Sequence, residues 1–349
     1  MMIRYRNSCI DLLKFVMALL VVAIHVRPFT GNLSFLYVDC IARLANPMFF
    51  TITSYYFFEK VIKSEDSVKL LRQYMKRILM LYLVWFIFYL PSTIQYNLDR
   101  QIKGRAFFFK LLQQFFLSGP PNSALWFLTA LFLAIPLVYL LAKKCPDWLL
   151  LSFSLVLYAL TVLEIDYHAW IESVTWINIY SQLIRNIFGW FANGLCYGFF
   201  FCSLGYILAK QRIRYKEQYF LKRSFFYGFG LIISLVAVIA EGFFIRSHFA
   251  DASFGAMFSF VCVSYFAMNL CLNWRKKEIK GCRVLQKMSI LIFASHYFLL
   301  FGLNIILRNQ KIYVDSLTVQ YFAVLIASII FSWLVVVLSK YIHGLKYLY

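Results

Sequence analysis

The sequence predicts an all-α, polytopic integral membrane protein with about ten transmembrane helices and both termini cytoplasmic, and three observations predict it. Of 349 residues, 62% are apolar and only 14% charged, against roughly 45–50% and about 25% in ordinary globular chains. The apolar residues fall into runs long enough to cross a ~30 Å hydrocarbon layer as helices, the form that satisfies backbone polar groups within each segment. The Lys and Arg stand between those runs, and they do so asymmetrically.

Windows of about 19 residues mark spans at 9–28, 33–58, 78–95, 124–142, 149–164, 186–209, 224–245, 252–272, 288–307 and 317–339. With the N-terminus inside, the inner segments carry 24 Lys and Arg, chiefly in the groups Lys60 to Arg77, Lys210 to Arg223 and Arg275 to Lys287. The outer segments carry eight, while Lys14, Arg43 and Arg185 lie within spans. That bias sets the orientation. Residues 96–123 are basic yet fall outside. There Lys110, Gln113 and Gln114 share one helical face and Phe107, Phe108, Leu111, Leu112, Phe115 and Phe116 cover the rest, the pattern of a helix lying in the interface. No loop is long enough for a separate soluble domain, so 1–349 reads as a single membrane domain. The first run carries Asp11 and Lys14 and is followed by no small-x-small cleavage site, so it reads as a retained span, not a signal peptide.

The net charge of +20 does not imply nucleic acid, because no basic stripe lies on a polar domain. Eight Cys with no CxxC or Cys/His cluster point to neither a metal site nor a disulfide framework.

Ionisable groups inside spans are the informative residues, since each costs about 2.5–3.5 kcal/mol at mid-helix. The first span reads Ser8-Cys9-Ile10-Asp11-Leu12-Leu13-Lys14, ten apolar residues, then His25. Lys14 and His25 are eleven positions apart, which at 100° per residue returns to within about 20° of one face and separates them by roughly 16 Å along the axis. This stripe sets a cation near the inner mouth and an imidazole well across the membrane. Asp11, three residues before Lys14, can pair with it or orient it; with Ser8 it also has the spacing of a capping-box variant, which would make it a helix start. Lys14 could equally snorkel to the interface, and His25 could hydrogen-bond across helices. Arg43 is suited to stabilising an oxyanion or an anionic acceptor, or to pairing with Asp39 four residues earlier. Glu241 reads as a solvated terminus or a proton acceptor, and Trp126 as packing or as the lining of a pocket.

The pattern Asp11-x-x-Lys14-x10-His25, followed by Asn46-Pro47-Met48-Phe49-Phe50-Thr51-Ile52-Thr53-Ser54-Tyr55-Tyr56, resembles the opening of the membrane-bound acyltransferase-3 family, ten-span proteins that O-acylate glycans, peptidoglycan, lipids and antibiotics. The resemblance continues through Lys76-Arg77-Ile78-Leu79, Leu125-Trp126-Phe127-Leu128, Arg185-Asn186, Gly194, Phe199-Phe200 to Gly205, and Ser289 to His296. The chain departs from the family at Lys14, where an Arg and its bidentate fork are usual, at Tyr74, which replaces the first Arg of an Arg-x-x-Arg, at Ser54 for a Gly, and at Ala124 where a His is frequent. The opening also resembles the membrane half of the vancomycin-resistance serine racemases.

The acyltransferase resemblance implies transfer of a small acyl group, acetyl or succinyl, from acyl-CoA to a hydroxyl of a cell-surface glycan or lipid-linked precursor. The setting implied is a bacterial cytoplasmic membrane, with His25 essential and His296 making a structural hydrogen bond. Coenzyme A is a polyanion on a long thiol arm, so Lys14, Arg72, Lys76 and Arg77 are the cations that would meet its phosphates. His25 has to be neutral to take a proton from the acceptor hydroxyl; transfer of the acyl group to the imidazole itself is the competing route. Expected partners are the bilayer, acyl-CoA, the acceptor and surface-polysaccharide or wall-synthesis proteins, with no tightly bound cofactor. The alternative is a transporter or flippase for a small solute or lipid-linked sugar, since intramembrane charges mark substrate paths there too.

Overall fold

The structure is a computed structural model that describes residues 7–121, 123–215, 223–274, 279–309 and 316–349. Of the cations that set the orientation, Arg4, Arg6, Lys216, Lys222, Arg275, Lys276, Lys277 and Lys311 lie outside the described residues. Every regular element among the described residues is helical. In chain order the longer ones are α1 (Ser8–Val26), α2 (Gly31–Ile62), α3 (Ser67–Asp99), α4 (Gly104–Gln113), α5 (Trp126–Lys144), α6 (Asp147–Asp166), α7 (Thr175–Phe188), α8 (Phe199–Arg214), α9 (Ser224–His248), α10 (Ser259–Asn273), α11 (Cys282–Asn309) and α12 (Leu317–Leu338). Eight of them, α1, α2, α3, α5, α6, α9, α11 and α12, are long and apolar enough to cross a membrane. The other two expected spans correspond to α10, with 15 residues, and to α8, which a π-helical turn at Gly194–Gly198 extends.

Several boundaries differ from those that hydropathy predicts, each for a local hydrogen-bonding reason. Residues 186–188 belong to α7 and not to the sixth span: Gly189, at φ 82°, ends α7 in a left-handed cap. The helix restarts where the Asn193 side chain accepts from the N–H groups of Leu195 and Cys196 at 2.9 Å each. Residues 252–258 do not join the eighth span. Asp166, at the end of α6, accepts N–H bonds from Ser253 (3.0 Å), Phe254 (2.6 Å) and Ala256 (2.9 Å) and holds them as a loop, with Phe254 in the left-handed region at φ 55°. The third span starts early, at Ser67, because Asp66 caps it through Lys69 N–H at 2.9 Å; its 33 residues make it about 50 Å long. The capping-box reading of Ser8 is also corrected. Asn7 caps α1, accepting from Cys9 (3.0 Å) and Ile10 (3.3 Å), while the Ser8 hydroxyl accepts from Ile279 N–H at 3.0 Å.

The chain forms two compact units that alternate in sequence: Met1–Ile52, Arg212–Gly242 and Ser259–Tyr349 in the first, Thr53–Gln211 and Phe243–Phe258 in the second. In the first, α1 packs along α11, and α11 along α12; α10, α12 and the turn Ala42–Leu44 complete the surroundings of α1. In the second, Tyr158, Tyr197, Phe199 and Phe201 are fully buried. Tyr158 stacks on Phe200 at 5.4 Å and donates to the Met257 carbonyl at 2.7 Å. The π-turn passes so near α5 that a Cβ on Gly194 would stand 2.5 Å from the Ala130 carbonyl oxygen.

The amphipathic helix expected after the third span is present as α4. Its polar side faces protein: the amides of Gln114 and Asn97 bond reciprocally at 2.7 and 2.9 Å, and Gln113 donates to the carbonyls of Asn186 (2.9 Å) and Ile187 (3.0 Å). Phe108, Phe109 and the following Phe116 are exposed. In lipid the apolar side is the one that meets the solvent, so the amides turn inward where partners exist.

Candidate functional site

The chemistry of α1 lies on its packed side. Ile10, Asp11, Ala18, Val21 and Val22 are buried, whereas Leu12 and Val16 are 48% and 41% exposed. At 100° per residue the stripe Lys14, Ala18, Val22, His25 lies opposite Leu12 and Val16. The stripe therefore faces the helices of the first unit and not lipid, and both Lys14 and His25 are half-buried.

At the far end of that stripe His25 meets two side chains of α11. Its ring stacks on His296 with centroids 5.1 Å apart and planes tilted by 25°, and meets Tyr297 edge-on at 4.7 Å. His296 is fully buried, and its Nδ1 lies 3.0 Å from the Ile292 carbonyl one turn back. Below this pair Phe293 packs edge-on against Phe49 of α2 at 5.4 Å.

The start of α2 is irregular. It winds as a π-helix over Phe35–Ile41 and as a 3-10 helix over Ala42–Leu44, a wider turn followed by a tighter one. Arg43 comes within electrostatic range of His25. The expected Asp39–Arg43 pair is not the one formed. Asp39 accepts two hydrogen bonds from Arg27, at 2.7 and 3.3 Å, because Arg27 leaves α1 in a left-handed C-cap (φ 50°) and its fork matches the carboxylate. The same end of the unit is tied by a Tyr37–Tyr321 hydroxyl contact at 3.1 Å and by Thr318 donating to the Pro28 carbonyl.

Asp11, Lys14, His25, Arg43 and Glu241 thus belong to the first unit. Glu241 accepts the N–H of Ser259 at 2.8 Å and so holds the first residue of α10, a helix-start role that neither earlier reading of it included. Arg72, Lys76, Arg77 and Trp126 belong to the second unit. The three cations are exposed on the early turns of α3. Trp126 is buried against Trp190 (5.4 Å) and Tyr197 (6.2 Å), which favours packing. Arg185, counted among the in-span cations, is on α7, where it pairs with the buried Glu164 of α6. Sequence reasoning missed Tyr297 and the closeness of His296. The usable signal was that, of five His, His25 and His296 are the two that fall within predicted spans.

Comparison with known proteins agrees with this architecture. An acyltransferase-domain family model matches residues 7–337. Two proteins from Enterococcus faecalis named amino-acid racemase are each 24% identical to the chain, one over 350 residues (97% of this chain, 46% of that protein), the other over 348 (97% and 47%). The chain spans about half the length of these curated relatives. No solved structure matches. With a multi-pass helical architecture and a family match over nearly its whole length, the chain belongs to the acyltransferase-3 family.

Proposed function

We propose that the protein is a membrane O-acyltransferase that moves a small acyl group, acetyl or succinyl, from acyl-CoA to a hydroxyl of a cell-surface glycan or lipid-linked precursor. The observation that carries this reading is the position of His25: on the packed side of α1, in register with Lys14 and beside His296 and Tyr297, in a chain of an acyltransferase family. Neutral His25 takes the proton of the acceptor hydroxyl as its oxygen attacks the thioester carbonyl. Arg43 offsets the charge developing on the carbonyl oxygen. The C–S bond then breaks, and the departing thiolate takes up the proton from His25. Lys14, oriented by Asp11, attracts the phosphates of the donor.

The test is His25→Ala in cells and in purified protein. Acyl transfer should fall about 10²–10⁴-fold with membrane abundance unchanged; native product yield from the variant would remove the assignment. Lys14→Ala should raise KM for acetyl-CoA and leave KM for the acceptor alone. A second reading is passage of a small solute, since intramembrane charges mark substrate paths, and the match to proteins named amino-acid racemase suggests an amino acid as that solute. Uptake of radiolabelled serine into proteoliposomes without acyl-CoA would support it, and acyl-CoA-dependent product with no uptake would reject it.

A further inference from the structure

The outer nitrogen of His296 is a buried group with no role in the mechanism above. Nδ1 lies 3.0 Å from the Ile292 carbonyl. A carbonyl only accepts, so Nδ1 carries the ring proton and Nε2 of the neutral ring presents a lone pair. That lone pair is buried and has no hydrogen-bond partner among the described residues. With Nδ1 bonded back along its own helix, Nε2 is the ring atom that reaches away from the α11 backbone, at the level where the ring stacks on His25. In a stack the in-plane lone pair of one ring does not point at the other, so the two imidazoles do not satisfy each other. Leaving such an acceptor without a donor costs about 1–3 kcal/mol, and a bound molecule bringing an O–H group would remove that cost.

Resting on the acyl-transfer reading, we infer that His296 is a second binding group of the same site. Its Nε2 accepts a hydrogen bond from one hydroxyl of the acceptor while His25 serves the neighbouring hydroxyl that reacts. The ligand class is a neutral polyhydroxyl compound with hydroxyls on adjacent carbons, the spacing that two acceptors side by side can hold. His296 is then a determinant of acceptor affinity and takes no proton in the transfer.

Two substitutions separate this role from helix maintenance. His296→Asn keeps a donor near Nδ1 for Ile292 and lacks the outer acceptor; His296→Gln sets an amide oxygen near Nε2 and gives up the inner donor. Native protein and both variants, reconstituted in nanodiscs, are probed with chitotetraose by equilibrium dialysis, and with radiolabelled acetyl-CoA plus chitotetraose for transfer. His296→Asn should weaken binding and raise KM for chitotetraose by at least about tenfold with KM for acetyl-CoA unchanged, while His296→Gln stays within about threefold of native. The reverse order would confine His296 to its bond with Ile292. Native-like binding by His296→Asn would mean that Nε2 holds only water, and failure of the native protein to bind chitotetraose would also overturn the inference. Dialysis reads binding without chemistry, so native protein that binds in this way yet transfers nothing removes the acyl-transfer reading alone.

Discussion

The two units bury different kinds of polar group. In the second, Asn97 and Gln114 satisfy one another, Asp166 takes three backbone N–H groups, and the buried Glu164 meets Ser181 and Arg185. In the first, Ser264, Ser295, Ser328, Ser332 and the Nε2 of His296 are buried with no hydrogen-bond partner among the described residues, on the helices that pack around and behind α1. Satisfied networks rigidify a framework, whereas unsatisfied groups are the ones a ligand can engage. The comparison teaches that the buried polar side chains of the second unit should govern stability, and those around α1 in the first, activity.

His25→Ala, with its expected loss of about 10²–10⁴-fold in transfer, sharpens the comparison most if unfolding in detergent shows stability altered by less than about 1 kcal/mol. Asp166→Ala should behave in the opposite sense. Three N–H groups lose their acceptor and Phe254 loses the clamp on its left-handed backbone, so the variant should unfold about 3 kcal/mol more easily or worse, with transfer per folded molecule retained; a native melting curve would break the comparison. Gly194→Ala forces a methyl against the Ala130 carbonyl and should cost about 1–3 kcal/mol by the same assay. Ser332→Ala is the smallest: with no hydrogen bond to lose, it should stay within about 0.5 kcal/mol of native. A loss above about 1 kcal/mol would show that this hydroxyl is paired and would blur the distinction.

The all-helical, multi-span class and the register of Lys14 with His25 were legible in the sequence, because hydropathy and the helical period act within one segment. What could not be read depends on contacts between segments. Asp166 takes 252–258 away from the eighth span, and Asn193 restarts the sixth, through side-chain bonds that hydropathy does not see. The amphipathic pattern of α4 announced two faces without saying which would meet protein. Arg27 reaches Asp39 before Arg43 does, since the cap geometry of α1 directs it there. The stacking of His296 on His25 follows from how α11 lies along α1, a pairing absent from any single window. Two departures from the family pattern are absorbed locally: the Ser54 hydroxyl donates to the Cys202 carbonyl at 2.5 Å, and the Tyr74 ring lies 4.6 Å from that of Phe57.

The exposed rings of α4 and its continuation, together with Trp176, Ile179, Leu183 and Ile187 of α7, give the second unit an apolar ledge. Whatever amphiphile surrounds the protein must coat this ledge as well as the flanks of the spans. Short-tailed detergents, whose micelles curve sharply, will leave it bare, so extracted protein should clump where bilayer discs keep it dispersed, with its transmembrane helices still wound.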